Sequence, residues 1–219
     1  MSIQKLIKKY KSKKAIKKIG IFDSGIGGLF ILNALKSLPI DEIIYIADIA
    51  HMPYGNKSTD FVKKRSTILT KKLLDHDVDC IIIACHTACS IAHTFLKNKN
   101  CTLIIDPILP SISEALSEKT KKVAILGTDL TIEQHIHKTL LSKHLGEKNI
   151  IEQQCNDLAL IIEQNQTNLE QLKKILEKYL SPLKKEKVDT IVLGCTHYIL
   201  LENLIKSYFD YPIKCVDGR

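Results

Sequence analysis

The chain has 219 residues, of which 45% are hydrophobic and 26% are charged. These proportions are typical of a globular protein with a sizeable core, and they exclude a largely disordered chain. No apolar run approaches the ~20 residues that cross a bilayer, so the sequence predicts no membrane span. The net charge is +8.

The excess positive charge lies in a leader, residues 1–18, which contains eight lysines and no acidic residue. The rest of the chain is neutral, which argues against a nucleic-acid partner. We expect the leader to be a frayed, solvated extension. A basic amphipathic helix that binds an anionic membrane or a partner is the alternative, because its apolar residues recur at roughly helical spacing. The leader lacks the apolar stretch of a signal peptide.

Short β-branched runs alternate with longer helical patterns along the rest of the chain. This alternation predicts an α/β fold with parallel sheets and helices on both faces. The predicted strands are 19–22, 43–47, 80–84, 103–105, 122–126, 190–193 and 213–216. The predicted helices are 28–37, 58–75, 88–98, 131–145, 157–165, 168–180 and 199–208. Ligand sites in such sheets lie beyond the carboxyl ends of the strands.

A weak internal repeat joins two of these strand ends. Residues 81–92 read I-I-I-A-C-H-T-A-C-S-I-A, and residues 191–202 read I-V-L-G-C-T-H-Y-I-L-L-E. Each copy places a cysteine and a Thr/His pair after an apolar strand. The repeat predicts two similar α/β lobes that face each other across a central cleft, with one thiol from each. We assign residues 19–108 and 213–219 to the first lobe, and residues 109–212 to the second.

Two facing thiols suit the inversion of a carbon centre. A cysteine at a helix N-terminus is expected to have a lowered pKa, because the helix dipole favours the thiolate. One thiol can then remove a proton while the other delivers a proton to the opposite face. Asp23 and His197 can orient or activate the thiols. The loop 25–28 matches neither nucleotide-binding glycine motif, and we expect it to turn amide N–H groups toward a small carboxylate.

Several segments resemble those of the glutamate racemase family. Residues 20–29 (G-I-F-D-S-G-I-G-G-L), the block 45–58 that ends P-Y-G-N-K-S, and residues 191–201 (I-V-L-G-C-T-H-Y-I-L-L) are similar to family blocks. Residues 127–132 and 160–163 resemble weaker family segments. The resemblance spans about residues 19–217 in consistent order.

The resemblance implies a cofactor-independent enzyme that interconverts L- and D-glutamate for peptidoglycan synthesis. It implies that Cys85 and Cys195 are the catalytic acid and base, assisted by Asp23, His197 and Glu163. The positions that would bind the substrate are Asp23, Ser24, Tyr54, Gly55, His86, Thr87, Thr196 and His197. The expected ligand is a small acidic amino acid, and a homodimer is left open.

Two departures from the family pattern leave alternatives open. The family has Asn at the position of His86, and an imidazole there is bulkier and titrates near neutrality. The alternatives are therefore a racemase of another acidic amino acid such as aspartate, or a catalytically weak relative that acts through a protein partner such as DNA gyrase. The family also has a further helix after the strand 213–216, and its absence is expected to expose apolar surface on the first lobe.

The remaining cysteines and histidines carry no predicted chemistry. Cys85, Cys89 and His93 are spaced too far along one helix to bind a single metal ion, so no metal site is predicted. An odd number of cysteines, seven, without a CxxC pair predicts free thiols in a reducing cytoplasm. The cysteines outside the predicted site are expected to fill the core; they are Cys80, Cys101, Cys155 and Cys215. Three histidines are expected on helix surfaces, namely His135, His137 and His144.

Overall fold

Two four-stranded parallel sheets organise the computed structural model, which describes residues 2–11, 16–99, 102–155, 158–164 and 168–219. Helices pack against both sheets, so the predicted α/β architecture with two lobes is confirmed. The alternation of short apolar strands with longer helices, visible in the sequence, is the reason for this architecture, because parallel strands need helical crossovers.

The first sheet has the strand order β2-β1-β3-β4. Its central strands are apolar on both faces, and all four residues of β3 are buried. The elements of this lobe are α1 (Ile3–Lys11), β1 (Lys18–Asp23), α2 (Leu29–Leu35), β2 (Glu42–Ala47), α3 (Thr59–Leu74), β3 (Cys80–Ile83), α4 (His86–Lys99) and β4 (Leu103–Ile105).

The second sheet repeats this arrangement with the order β6-β5-β7-β8. Its elements are α5 (Ile108–Ala115), β5 (Val123–Gly127), α6 (Asp129–Glu133), α7 (Ile136–Leu145), β6 (Ile150–Gln154), α8 (Leu158–Gln164), α9 (Leu169–Lys185), β7 (Thr190–Gly194), α10 (Glu202–Tyr208) and β8 (Lys214–Val216). A 3₁₀ turn, Thr196–Leu201, precedes α10. The two repeated sequence segments therefore contain β3 and β7, which hold equivalent positions in their sheets.

The last strand belongs to the second sheet. β8 pairs in parallel with β7, with Thr190 opposite Lys214 and Val192 opposite Val216. The prediction that residues 213–219 return to the first lobe was therefore wrong. A three-residue strand carries no sequence signal for its partner, and the register is decided by the edge of β7 that lies beside it. The division near residue 108 stays a prediction.

Three local predictions were also wrong. Helix α5 was not predicted, because Pro107 and Pro110 suggest a loop, although proline is tolerated in the first turn of a helix. Strand β6 was not predicted, because the edge segment I-I-E-Q-Q lacks a clear apolar pattern. The single helix predicted over 131–145 is divided into α6 and α7, because His135 adopts a left-handed backbone conformation with φ of 52°.

The leader is folded onto the first lobe. Ile3 and Ile7 of α1 are fully buried, together with Ile16, in an apolar cluster that also contains Ile19 and Leu35. The expectation of a frayed extension was therefore wrong for residues 2–11, while residues 12–15 lie outside the described residues. Its amphipathic pattern is real, but the protein itself buries the apolar face. Large apolar side chains of the first lobe are exposed at Ile26, Leu29 and Ile49, and that a further helix would cover them stays a prediction.

The two lobes share part of their core. One buried cluster contains Phe22 and Ile83 from the first sheet and Ile125 and Val192 from the second. The lobes are therefore joined by apolar contacts as well as by the chain. None of the helices in the described ranges is long and apolar enough to cross a membrane.

The docking of α1 predicts a stability effect. Ile7→Ala should lower the free energy of unfolding by about 2–4 kcal/mol, because it removes a fully buried side chain and leaves a cavity. Lys8→Ala, the neighbouring exposed position, should change it by less than about 0.5 kcal/mol. Urea denaturation measures both variants. Equal midpoints for the two variants would restore the interpretation of a loose leader.

Candidate functional site

The carboxyl ends of central strands from both sheets meet at one place. Asp23 ends β1, Cys85 follows β3, and Cys195 follows β7. The hydroxyl of Thr196 donates a hydrogen bond to Oδ2 of Asp23 at 3.0 Å, across the boundary between the lobes. Parallel sheets with this strand order bind ligands at such a reversal point. The structure thus brings the two repeat cysteines into one site.

Asp23 is a carboxylate with no exposed surface. It accepts hydrogen bonds from the Gly25 N–H at 2.9 Å and from the Ser24 hydroxyl at 3.4 Å, in addition to Thr196. Burial raises the pKa of Asp23, while the charge of His197 and these hydrogen bonds oppose the increase. The N–H of Gly25 in the glycine loop is thus used by Asp23, and the expectation that this loop binds the carboxylate of a small ligand stays a prediction.

Cys85 lies between Ser24 and the first turn of α4. Its Sγ is 3.5 Å from Oγ of Ser24 and accepts from the Ala88 N–H at 3.5 Å. Burial, followed by the charge of Asp23, raises the pKa of the Cys85 thiol to about 11, while the helix N–H lowers it. The prediction of a lowered thiol pKa was therefore wrong, because only 5% of the residue is exposed and desolvation outweighs the helix terminus.

Cys195 has a different set of neighbours. Its Sγ is 3.7 Å from Nδ1 of His197, and Nε2 of the same ring is 2.5 Å from Oε2 of Glu163. Burial and then the charge of Cys85 raise the pKa of Cys195 well above its usual value. The expected lowering is again absent. Each thiol is nevertheless linked to one acidic group, Cys85 through Ser24 to the buried Asp23, and Cys195 through His197 to the half-buried Glu163.

Tyr54 is held by a charged cluster. The Tyr54 hydroxyl donates to Asp48 at 2.6 Å, and Arg65 donates to both oxygens of Asp48 at 2.9 and 2.7 Å. Burial favours the neutral acid, but the hydrogen bonds from Arg65, Tyr54 and His51 hold the pKa of Asp48 at about 2. Sequence reasoning missed Arg65, because it lies on α3 outside any recognisable motif.

Gly55 and Thr87 both lie against the second lobe. A Cβ atom on Gly55 would lie 2.5 Å from Cβ of Thr128. The Thr87 hydroxyl is 3.0 Å from the hydroxyl of Thr128 and 3.0 Å from that of Thr131. Both predicted binding residues therefore belong to the surface where the lobes meet.

His86 forms a buried pair with a second histidine. Its Nδ1 lies 3.2 Å from Nε2 of His137, and the two rings stack with centroids 5.4 Å apart. The prediction that His137 lies on a helix surface was wrong, because that face of α7 packs against the first lobe. His135 and His144 are exposed, as predicted.

The other cysteines of the described residues are free thiols. Cys80 and Cys155 are buried, as predicted, Cys215 is half-buried, and Cys101 lies outside the described residues. Cys89 donates to the carbonyl of Ile83. Within the part of the chain that the structure describes, no three His, Cys, Asp or Glu side chains converge to hold a metal ion.

Comparison with known proteins identifies the family. The family model described as Asp/Glu/Hydantoin racemase matches residues 32–218. The chain belongs to this racemase family. As a member of the family, it is an amino-acid racemase, an isomerase of the glutamate racemase type.

Individual members of the racemase family resemble the whole chain. A glutamate racemase from Aliarcobacter butzleri is 41% identical over 204 residues, which cover 91% of this chain and 78% of that relative. The crystal structure of a glutamate racemase isoform from Bacillus anthracis superposes with a TM-score of 0.85 at 29% identity, covering 92% of this chain and 77% of that one. A Francisella tularensis glutamate racemase, solved in complex with D-glutamate, gives 0.83 at 31% identity, covering 92% and 76%.

The contact between the lobes at the site predicts a large effect of one methyl group. In Gly27→Ala the new Cβ would overlap the Thr196 hydroxyl and lie 2.9 Å from the Thr196 carbonyl carbon. The Thr196–Asp23 hydrogen bond should break, and racemase activity should fall by about 10²-fold, as expected for a misplacement of about 1 Å. Ile26→Ala, in the same loop but 42% exposed, is the control. Activity assays and thermal melts of both variants test the contact, and equal activities would contradict it.

Proposed function

We propose that this chain interconverts L- and D-glutamate for peptidoglycan synthesis by a two-thiol mechanism, with Cys85 and Cys195 as acid and base. The observation that carries the proposal is the meeting of two buried thiols from equivalent strand ends, each linked to its own carboxylate. The assignment of all site residues below is part of this proposal.

The proposed reaction has two proton transfers. One cysteine, as thiolate, takes the α-proton, and the electron pair of the C–H bond remains on the α-carbon and its carboxylate. The other cysteine, as thiol, donates its proton to the opposite face of that carbon. The configuration is inverted, and the protonation states of the two cysteines are exchanged. The reverse reaction uses the same groups in exchanged roles.

The raised thiol pKa values make substrate binding part of the activation. A buried thiolate is costly when no positive charge is near. The ammonium group of a bound amino acid supplies that charge, and it also stabilises the carbanion. We propose that His197, paired with Glu163, accepts a proton from Cys195, and that Asp23 acts on Cys85 through Ser24.

The hydroxyl and amide groups around the thiols are suited to hold the substrate. The proposed binding residues are Asp23, Ser24, Tyr54, Gly55, His86, Thr87, Thr196 and His197. Because Cys85 and Cys195 are only 5% and 7% exposed, we propose that the lobes move apart to admit the substrate and close on it. Closing removes water, which strengthens the electrostatic interactions inside the site.

The choice of glutamate is supported by the relatives. The D-glutamate complex of the Francisella tularensis protein shows that a homologous fold binds this amino acid. Neither aspartate as the substrate nor a gyrase-directed role is favoured by any contact in the site. The homodimer and the cytoplasmic location stay predictions.

The decisive experiment removes each thiol separately. Cys85→Ala and Cys195→Ala should each lower racemisation of L-glutamate by about 10²–10⁴-fold, the range of general acid–base contributions. Circular dichroism follows the change in optical activity, and NMR in deuterated water follows exchange of the α-proton on glutamate and aspartate in parallel.

Cys89→Ala is the matched control, because Cys89 is equally buried on α4 but has no proposed role in proton transfer. Parent-level racemisation by either Cys85→Ala or Cys195→Ala would refute the two-thiol assignment. Faster exchange on aspartate than on glutamate would refute the substrate assignment.

The two sets of contacts, from Cys85 through Ser24 to Asp23 and from Cys195 through His197 to Glu163, predict effects on different enantiomers of the substrate. Glu163→Gln should slow proton abstraction by Cys195, and Ser24→Ala should slow abstraction by Cys85. The primary isotope effect on kcat should therefore increase for one α-deuterated enantiomer in the first variant and for the other enantiomer in the second. The ratio of kcat/KM for one enantiomer to kcat/KM for the other must stay at one, because the equilibrium constant of a racemisation is one. An equal increase for both enantiomers in both variants would contradict separate roles for the two sets of contacts.

A further inference from the structure

His86 and His137 connect the lobes through a single hydrogen bond. His86 begins α4 in the first lobe and His137 lies in α7 of the second, and they are 2% and 1% exposed. His86 also forms a hydrogen bond with the main chain of Asp217. With its N–H used by that carbonyl, a neutral His86 accepts at Nδ1, so Nε2 of His137 is the donor.

Other titratable groups around the pair are occupied elsewhere. The Asp217 carboxylate is bound by Arg219 at 2.8 Å. Glu114 of α5 accepts from the Gly218 N–H at 3.3 Å, and Glu152 of β6 pairs with His135 at 2.7 Å. Within the described residues, these carboxylates therefore leave the two imidazoles without a counter-ion.

Burial alone lowers the pKa of His137, and the groups that act on the pKa of His86 besides burial are His137 and the main chain of Asp217. An added proton on either ring would thus be a buried charge without a counter-ion.

We propose that His137 is a positioning residue that holds the lobes closed on the substrate through His86, and that closure requires both imidazoles to be neutral. A proton added at Nδ1 of His86 would place two N–H donors 3.2 Å apart and break the bond, while a proton added at Nδ1 of His137 would place a charge on a ring that is only 1% exposed. The proposal rests on the proposed function, because closure matters for activity only if the substrate is held between the lobes.

The pH dependence follows from the environment of the pair. Burial lowers the pKa of His137 to about 4. Burial, and then the neighbouring His137, lowers the pKa of His86 well below its usual value. When the lobes open, each imidazole returns to a pKa of about 6.5. The contribution to closure is therefore complete above about pH 6.5 and is lost as the pH falls toward 4. For His137 alone, the ratio of closed to open molecules should decrease about tenfold between pH 7.5 and 5.5.

The test compares the full-length parent with His137→Gln, His137→Leu and His144→Gln. A glutamine amide can donate to Nδ1 of His86 without titrating, so His137→Gln should retain activity within about threefold near pH 8. On acidification to pH 5.5, the factor by which kcat/KM decreases should be about tenfold smaller in His137→Gln than in the parent. The acid loss of the parent should appear mainly in KM. His137→Leu should raise KM about tenfold relative to the parent near pH 8, since it leaves His86 unpaired, and by less at pH 5.5, where the KM of the parent has itself increased. His144→Gln, on the exposed part of the same helix, should follow the parent.

A second readout does not depend on racemisation. The rates at which 4,4′-dithiodipyridine modifies Cys85 and Cys195, followed by mass spectrometry, report opening of the lobes. The ratio of the rate in the parent to that in His137→Gln should increase about tenfold from pH 7.5 to 5.5. A constant ratio, or superimposable pH profiles of the parent and His137→Gln, would overturn the proposal. A parent that lacks racemase activity but shows the increasing ratio would refute the proposed function and leave this inference standing.

Discussion

The structure depends on a carboxylate that is fully removed from water. A buried charge is tolerated only when it is paired or hydrogen-bonded. Asp23 accepts two hydrogen bonds from its own loop, from Ser24 and Gly25, and one from Thr196 on the other lobe. Separation of the lobes therefore removes a hydrogen bond from a group that needs it, and contact between the lobes restores it. The same contact lies beside the two thiols, so the burial of Asp23 and the geometry of the site have one physical origin.

The repeated strand order explains why chemistry is concentrated there. In each sheet the first two strands of the chain lie side by side, and the third strand, β3 or β7, pairs with the opposite edge of the first strand. The strand order therefore reverses between β1 and β3 and between β5 and β7. Ligand sites form at such points in parallel sheets, and here each contributes a thiol. The supporting groups differ, a serine and an aspartate beside Cys85, and a histidine and a glutamate beside Cys195. Similar folding units thus carry chemically different partners.

Patterns within one element were predictable from sequence, and contacts between elements were less so. The β-branched runs predicted most strands, and the motif at Cys195 predicted the involvement of His197. The docking of α1, the pairing of β8 and the burial of His137 depend on distant partners that local periodicity does not encode. The thiol pKa values illustrate the same limit: the helix terminus at Cys85 is visible in the sequence, whereas the burial that outweighs it depends on tertiary packing.

Two glycines of the first lobe set the width of the space between the lobes. Gly27 lies against Thr196 and Gly55 against Thr128, and in both places a Cβ atom would overlap the threonine. At both places the glycine main chain itself contacts the second lobe, so the two lobes approach each other closely. Any side chain at either position would push the lobes apart. The separation of the lobes is consequently fixed by main-chain contacts as well as by the side chains of the site.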